Sequence, residues 1–281
     1  ANMEKNIIIS LFIEYLKMLG FADNTVEIYH QKVISYLSFC NSKELDYLND
    51  CDINLYLLHI KDKNKLAPSS LNVIACALKR FYRFLYYREI SRIRIEEYHI
   101  LHFKNKKRIV TVPSDDVKKI YDYSKRMLYS DPRKLYINIL YGTGVRPCDC
   151  VNLTARNFSV VDGVLMMNFY EKKKKTFREV PFMNREVALA VLECLKNRDT
   201  LFRLLPGVRQ LQYYLEDISR YYGLHVSART FRHEFAYRML NVDKLTVSQL
   251  QSLMGHTNPA MSMWYAVADS KDLSKIAPKV V

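Results

Sequence analysis

The residues with chemical potential lie in the second half of the chain. Tyr265 falls nine positions after His256, in the run Met254-Gly-His-Thr-Asn-Pro-Ala-Met-Ser-Met-Trp-Tyr265. Upstream stand Gly142-Thr-Gly-Val-Arg146 and Arg229-Thr-Phe-Arg232-His233. A phenol oxygen is a nucleophile, and guanidinium groups hold charge on phosphoryl oxygens. Breaking a DNA strand without a metal needs both.

Each element has its own reading. Arg146 follows a Gly-Thr-Gly turn and precedes Pro147, which suits the first turn of a helix. Its planar fork fits two phosphate oxygens, with Asp149 available to brace it; a structural Arg–Asp pair at a helix start is the other reading. Arg229 and Arg232 lie one turn apart on an amphipathic helix that buries Phe231, Phe235 and Leu240. The two cations need an anion between them, and either a phosphate or Glu234 would serve. His233 reads as a hydrogen-bonding core histidine. Gly255 has the position favoured at helix C-caps, and His256 beyond it is placed to donate. Lys172, Lys173, Lys174 and Lys175 crowd a strand–strand turn, where at most one is catalytic and the rest keep a hairpin tip charged.

The elements that must position these groups change character along the chain. Ile7, Leu11, Tyr15 and Leu19 mark one apolar helical face. Asp23-Asn24-Thr25 supplies cap candidates for a second helix to about Phe39. A short helix near 53–60 follows. Pro68 opens a long helix with Leu71, Ala75, Leu78, Phe81, Tyr82 and Leu85 inward, and with Lys79, Arg80, Arg83 and Arg88 available outward. Residues 3–95 thus form a helical domain with a basic face. Residues 96–111, with Lys104, Lys106, Lys107 and Arg108, read as a basic interdomain linker. The second domain covers 112–281, with Ser114 as a cap. A hairpin with an Asp162-Gly163 turn and a third strand over 177–182 interrupt its helices. The expected fold is mainly α with a small antiparallel sheet.

Bulk properties narrow the function. The 281 residues carry a net charge of +14, contributed mostly by residues 112–281, and 21 tyrosines. Such a surface suits nucleic acid. No apolar run spans a bilayer, no signal peptide is evident, and the six scattered cysteines lack zinc-site spacing and read as reduced thiols. No metal or cofactor is expected.

Together these pieces resemble the tyrosine recombinase (lambda-integrase-like, Xer/Cre-type) family over nearly the whole chain. The ordered set carries it: Thr143-Gly-Val-Arg146-x-x-Asp149, the lysine hairpin ending Arg178-Glu-Val-Pro181, Arg232-His-x-Phe-Ala236, Leu253-x-Gly-His256 and Tyr265. The resemblance implies a helical core-binding domain and an α+β catalytic domain clamping double-stranded DNA. Arg146 and Arg232 would hold the scissile phosphate, and Tyr265 would attack it to give a 3′-phosphotyrosyl link. Lys173 would act as general acid and His256 would bond the phosphoryl group, with Asp149 and His233 in support. Lys79, Arg80, Arg83, Lys104, Lys106, Lys107, Arg108, Lys172, Lys174 and Lys175 would contact DNA.

It also implies a tetramer on DNA, with a C-terminal tail (Leu273, Ile276, Val280) exchanged in trans, and a cytoplasmic, nucleoid-associated protein with no membrane partner. One position departs. The family has His three before the second arginine, and this chain has Arg229, which donates but cannot accept a proton. Arg229 is therefore expected to work by charge, with the base role left to water or another group. That departure tilts the role from Xer-type housekeeping towards a mobile element. The competing readings are type IB topoisomerase-like relaxation and a non-catalytic DNA-binding relative.

Overall fold

A computed structural model describes residues 2–41, 43–104, 112–196, 198 and 201–266. The chain divides into two compact units, residues 1–108 and 109–281. Lys106, Lys107, Arg108 and the tail residues Leu273, Ile276 and Val280 lie outside the described residues.

The first unit packs α1 (Asn2–Met18), α2 (Asp23–Phe39), α3 (Asp50–Asn64) and α4 (Pro68–Tyr87) around one core. Its centre is aromatic: Phe12 meets Phe81 edge-on at 5.1 Å, and Tyr36 donates to Tyr82 at 2.6 Å. The Tyr82 hydroxyl in turn donates to the Asn49 carbonyl, so neither buried phenol is left without a partner. All six residues expected to point inward from α4 are buried. On α1 the expected face is displaced by one position. Ile8, Phe12 and Leu16 are buried, whereas Ile7 and Leu19 are exposed. Both series repeat every four residues, so periodicity alone could not choose between them.

Two caps also differ from expectation. Asp23 and Ser114 are the first residues of their helices rather than side-chain caps. Their acidic first turns still suit the helix dipole. α3 begins earlier than expected because Asn49 and Asp52 form a reciprocal capping box. The segment read as the start of a linker is fastened to this unit as far as Phe103. Ile95 and Ile100 are buried, the Asn54 side chain bonds the backbone of His99 and Leu101, and Asn72 bonds that of Phe103 at both ends.

The second unit contains α5 (Ser114–Lys125), α6 (Pro132–Thr143), the single turn α7 (Pro147–Cys150), α8 (Arg185–Leu195), α9 (Val208–Tyr221), α10 (Ala228–Asn241), α11 (Val247–Met254) and α12 (Pro259–Ala266). Between α7 and α8 lies a three-stranded antiparallel sheet in the order β1 (Phe158–Val161), β2 (Val164–Glu171), β3 (Thr176–Pro181). Positive φ at Asp162 and Gly163 makes the expected tight turn, with Val161 opposite Val164. α6 is buried from Lys134 to Thr143. Its lysine is accommodated because Nζ donates to the carbonyls of Lys125 and Met127. α10 is strapped to α6 by Arg238, which donates to the Tyr141 carbonyl at 2.6 Å and pairs with Glu234. Among the described residues no helix is long and apolar enough to cross a membrane.

Candidate active site

Four segments converge: the α6–α7 junction, the β2–β3 hairpin, α10, and the stretch from the end of α11 into α12. Gly144 ends α6 in the left-handed region (φ 61°), and a Cβ there would strike the Phe235 ring of α10. Glycine thus lets α10 approach closely enough for Arg232 Nη1 to donate to the Gly144 carbonyl at 2.6 Å.

Arg146 is the N-cap of α7, and its Nη1 donates to Glu171 Oε1 at 2.6 Å. Asp149, expected as the brace, is 3.9 Å away and uses Oδ1 to accept the Lys172 backbone N–H. The close brace is therefore Glu171, a residue the sequence reading did not single out. It is fully buried and also accepts from Arg178 Nη1 at 3.2 Å. Burial pushes its carboxyl upward, but the Arg146 hydrogen bond and the Arg178 charge outweigh that and leave it below its ordinary value. The signal was present in β2. Leu165, Met167 and Phe169 alternate inward, and period two places Glu171 on the same face. Burial, by contrast, holds Asp149 above the usual carboxylate range.

Arg178 lies opposite Phe169 in the hairpin. Its Nη2 donates to the carbonyls of Leu253 at 2.9 Å and Ser252 at 3.3 Å. A cation thereby caps the negative end of α11. Gly255 closes that helix at φ 64°, and a Cβ there would run into the Arg178 guanidinium. The cap glycine thus also makes room for the hairpin.

Arg232 and His256 meet beneath this junction. Arg232 Nη2 donates to the Met254 carbonyl at 2.9 Å and lies 3.3 Å from His256 Nε2. Burial, followed by the Arg146 charge, lowers its pKa to about 10, so it stays charged at neutral pH. His256 is buried with Nδ1 2.8 Å from Ser262 Oγ. Burial and the Arg232 and Arg146 charges lower it to about 4, so the ring is neutral. Because a guanidinium only donates, Nε2 is the acceptor and Nδ1–H faces Ser262. Both ring nitrogens are thus engaged within the protein.

Tyr265 of α12 is half-buried, and its Oη is 2.5 Å from His233 Nδ1. Burial raises the phenol's pKa, while the Arg232 and Arg229 charges pull it down. Arg229 is exposed, and its Nε donates to His233 Nε2 at 3.2 Å. Glu234 does not lie between the two arginines; it turns to Arg238 on the opposite side.

Lys172, Lys173, Lys174 and Lys175 are all exposed on the hairpin turn. Lys174 is among the charges that depress His256. On α4, Arg83 is paired with Glu96, Arg80 lies over the Phe21 ring at 5.3 Å, and Lys79 is half-exposed. Lys104 is exposed. Among the described residues no group of three His, Cys, Asp or Glu converges on a metal position.

The model of the phage integrase family matches residues 111–272, and that of the phage integrase N-terminal SAM-like domain matches residues 8–92. Tyrosine recombinase XerA of Thermococcus kodakarensis is 22% identical, over 98% of this chain and 96% of its own length. Tyrosine recombinase XerC of Anoxybacillus flavithermus is 23% identical, over 92% of both. Among solved structures, a lambda integrase dimer bound to a COC′ core site aligns with a TM-score of 0.72 at 17% identity, covering 95% of this chain and 96% of that one. The Tn1549 transposon integrase in complex with transposon right end DNA aligns with a TM-score of 0.71 at 18% identity, covering 96% and 99%. At these identities the solved structures establish the fold.

Proposed function

This chain belongs to the phage integrase family of tyrosine recombinases, and on that premise we propose that it cuts and rejoins duplex DNA through Tyr265. The observation that carries the proposal is the 2.5 Å approach of Tyr265 Oη to His233, beside the half-buried, charged Arg232. Tyr265 Oη attacks a backbone phosphorus. The P–O bond to tyrosine forms as the P–O5′ bond breaks, leaving a 3′-phosphotyrosyl link and a 5′-hydroxyl. Water takes the phenolic proton, and a hairpin lysine gives one to the departing 5′ oxygen. Two lysines compete for that role: Lys173 by the pattern of the family hairpin, and Lys174 by the reach of its charge to His256.

Arg146 and Arg232 supply fixed positive charge for the phosphoryl oxygens. Arg146 is held from behind by Glu171 and Arg232 by two carbonyls, so little reorganisation is needed when charge develops. The covalent link keeps the bond energy for rejoining. Double-stranded DNA is the partner, contacted also by the basic face of α4, and the working form is a tetramer on DNA. That the relatives include both Xer recombinases and a transposon integrase leaves two biological roles. Arg229, in the family's usual histidine position, favours the mobile-element role.

The test is a duplex nicked near the cleavage point, built from inverted repeats flanking the gene. A covalent protein–DNA adduct that disappears in Tyr265→Phe supports the reading. No adduct with any such duplex, or an undiminished one in Tyr265→Phe, overturns it. Separate Lys173→Ala and Lys174→Ala variants decide the acid. Relaxation of supercoiled plasmid lacking these repeats would indicate the topoisomerase activity instead.

A further inference from the structure

Arg229 acts on Tyr265 by its charge, and its hydrogen bond goes elsewhere. It reaches the imidazole between them: its Nε donates to His233 Nε2 at 3.2 Å, and His233 Nδ1 is 2.5 Å from Tyr265 Oη. The directions of these bonds can be assigned. A guanidinium has no acceptor, so Nε2 must be the accepting nitrogen. A neutral imidazole has one N–H, which must then be on Nδ1, facing the phenol oxygen. Burial, with the Arg229 and Arg232 charges, lowers the His233 pKa, so the ring is neutral at neutral pH. The same logic holds at the neighbouring pair, where Arg232 Nη2 takes His256 Nε2 and leaves Nδ1–H for Ser262 Oγ at 2.8 Å.

We propose that Arg229 is a positioning residue that acts through His233: it locks the Nδ1–H tautomer, and that N–H donates to Tyr265 Oη. The inference rests on Tyr265 being the nucleophile. In this arrangement His233 orients the phenol and stabilises it as it loses its proton, but does not receive that proton. The imidazole orients one lone pair of Oη towards itself and leaves the phenolic hydrogen to point elsewhere. Arg229 thus replaces a family histidine without taking over an acceptor's chemistry; it fixes which edge of the next ring donates.

Among the described residues, the charges that act on His233 are those of Arg229 and Arg232. α10 contributes Arg229 and Arg232, and Tyr265 is the one titratable residue of α12 (Pro-Ala-Met-Ser-Met-Trp-Tyr-Ala). α11 (Val-Ser-Gln-Leu-Gln-Ser-Leu-Met) carries none. On the far side of α10, Tyr141 of α6 engages Arg238 rather than His233. His256 is next to Arg232, and burial keeps it neutral.

Histidine 15N resonances of the free protein test this without DNA, with His233 assigned by its loss in His233→Asn. The expected wild-type ring is protonated at Nδ1, the reverse of the usual preference of free imidazole, and Arg229→Met restores a substantial Nε2–H fraction. A wild-type ring protonated at Nε2, or a tautomer unchanged in Arg229→Met, overturns the proposal whatever the protein does to DNA. The catalytic consequence is read on the duplex that gives the Tyr265-dependent adduct. In single turnovers His233→Ala slows cleavage roughly 10- to 100-fold at neutral pH, the range expected for losing a hydrogen bond to a developing anion. Its rate rises at higher pH than wild type, and His233→Asn, which keeps an N–H donor, recovers most of the loss. A His233→Ala profile that coincides with wild type in rate and pH overturns it. An adduct that persists in Tyr265→Phe would instead sink the underlying nucleophile assignment.

Discussion

Arg232 is half-buried and His256 buried, and the Gly144 carbonyl, the Met254 carbonyl at the end of α11 and Ser262 hold them. Arg229 is exposed and His233 half-buried, with one hydrogen bond joining them and one joining His233 to Tyr265. The chemistry of the two pairs is the same, a guanidinium donating to Nε2 of a neutral imidazole. The setting differs, and it divides the work. The inner pair is built into the packing of α6, α10 and α11, so the charge that the proposed reaction needs at a phosphate is held in place by protein contacts. The outer pair holds, through these two hydrogen bonds, the hydroxyl that is the nucleophile in the proposed reaction, where it must move.

The most damaging way to break the inner half is Glu171→Ala. It leaves the Arg146 and Arg178 guanidiniums without their buried carboxylate, and losing one partner of a buried pair costs about 3–5 kcal/mol. Denaturant unfolding should show that loss in the second unit together with loss of cleavage. Because the Glu171 pKa is depressed, its stabilisation is present above the ordinary carboxylate range and lost as pH falls through its folded value. Glu171→Ala should flatten that acid limb as well.

His256 has the next largest signature, and it is a pH signature. Its pKa is lowered from 6.5 to about 4. The unfolded chain therefore binds a proton before the folded one, so stability is full above about pH 6.5 and falls as pH drops towards 4. The whole swing is about 3 kcal/mol, from the value of a pKa unit. Unfolding measured from pH 7 to 4 should show this slope in wild type and lose it in His256→Gln. Gly255→Ala is expected to cost about 1–2 kcal/mol for the left-handed backbone alone, plus displacement of Arg178 from the α11 carbonyls. Its melting temperature should fall more than that of Gly223→Ala, where φ is also positive (65°) but no atom lies near the added Cβ.

The outer half should respond oppositely. Arg229→Met removes an exposed group and should change stability within about 0.5 kcal/mol, yet alter the His233 tautomer and the pH dependence of cleavage. If its unfolding free energy instead falls as far as that of an inner-site variant, the division between the halves is wrong.

Particular residues show what could be read in the chain. The Asp162-Gly163 hairpin, the inward face of α4 and the helix that buries Phe231 and Phe235 were all legible, because local periodicity and turn chemistry specify them. The α1 face was misplaced by one residue, since two four-residue series coexist there and only packing against α2 and α4 selects Ile8, Phe12 and Leu16. Glu171 could have been found from strand alternation, but its role depends on two arginines 25 residues before it and seven after it. The Arg229–His233 spacing of four residues lies within one helix, but the contact of His233 with Tyr265 was not legible, because it joins α10 to α12 across 32 residues.

The sequence by itself determined the family, the order of its chemical groups and most helix and strand positions, because these depend on residue type and short-range spacing. Only the tertiary structure decided which carboxylate braces Arg146, which nitrogen of each histidine carries the proton and what Tyr265 touches. Those are properties of atoms brought within hydrogen-bond distance by packing, and a hydrogen bond falls away steeply with distance and angle.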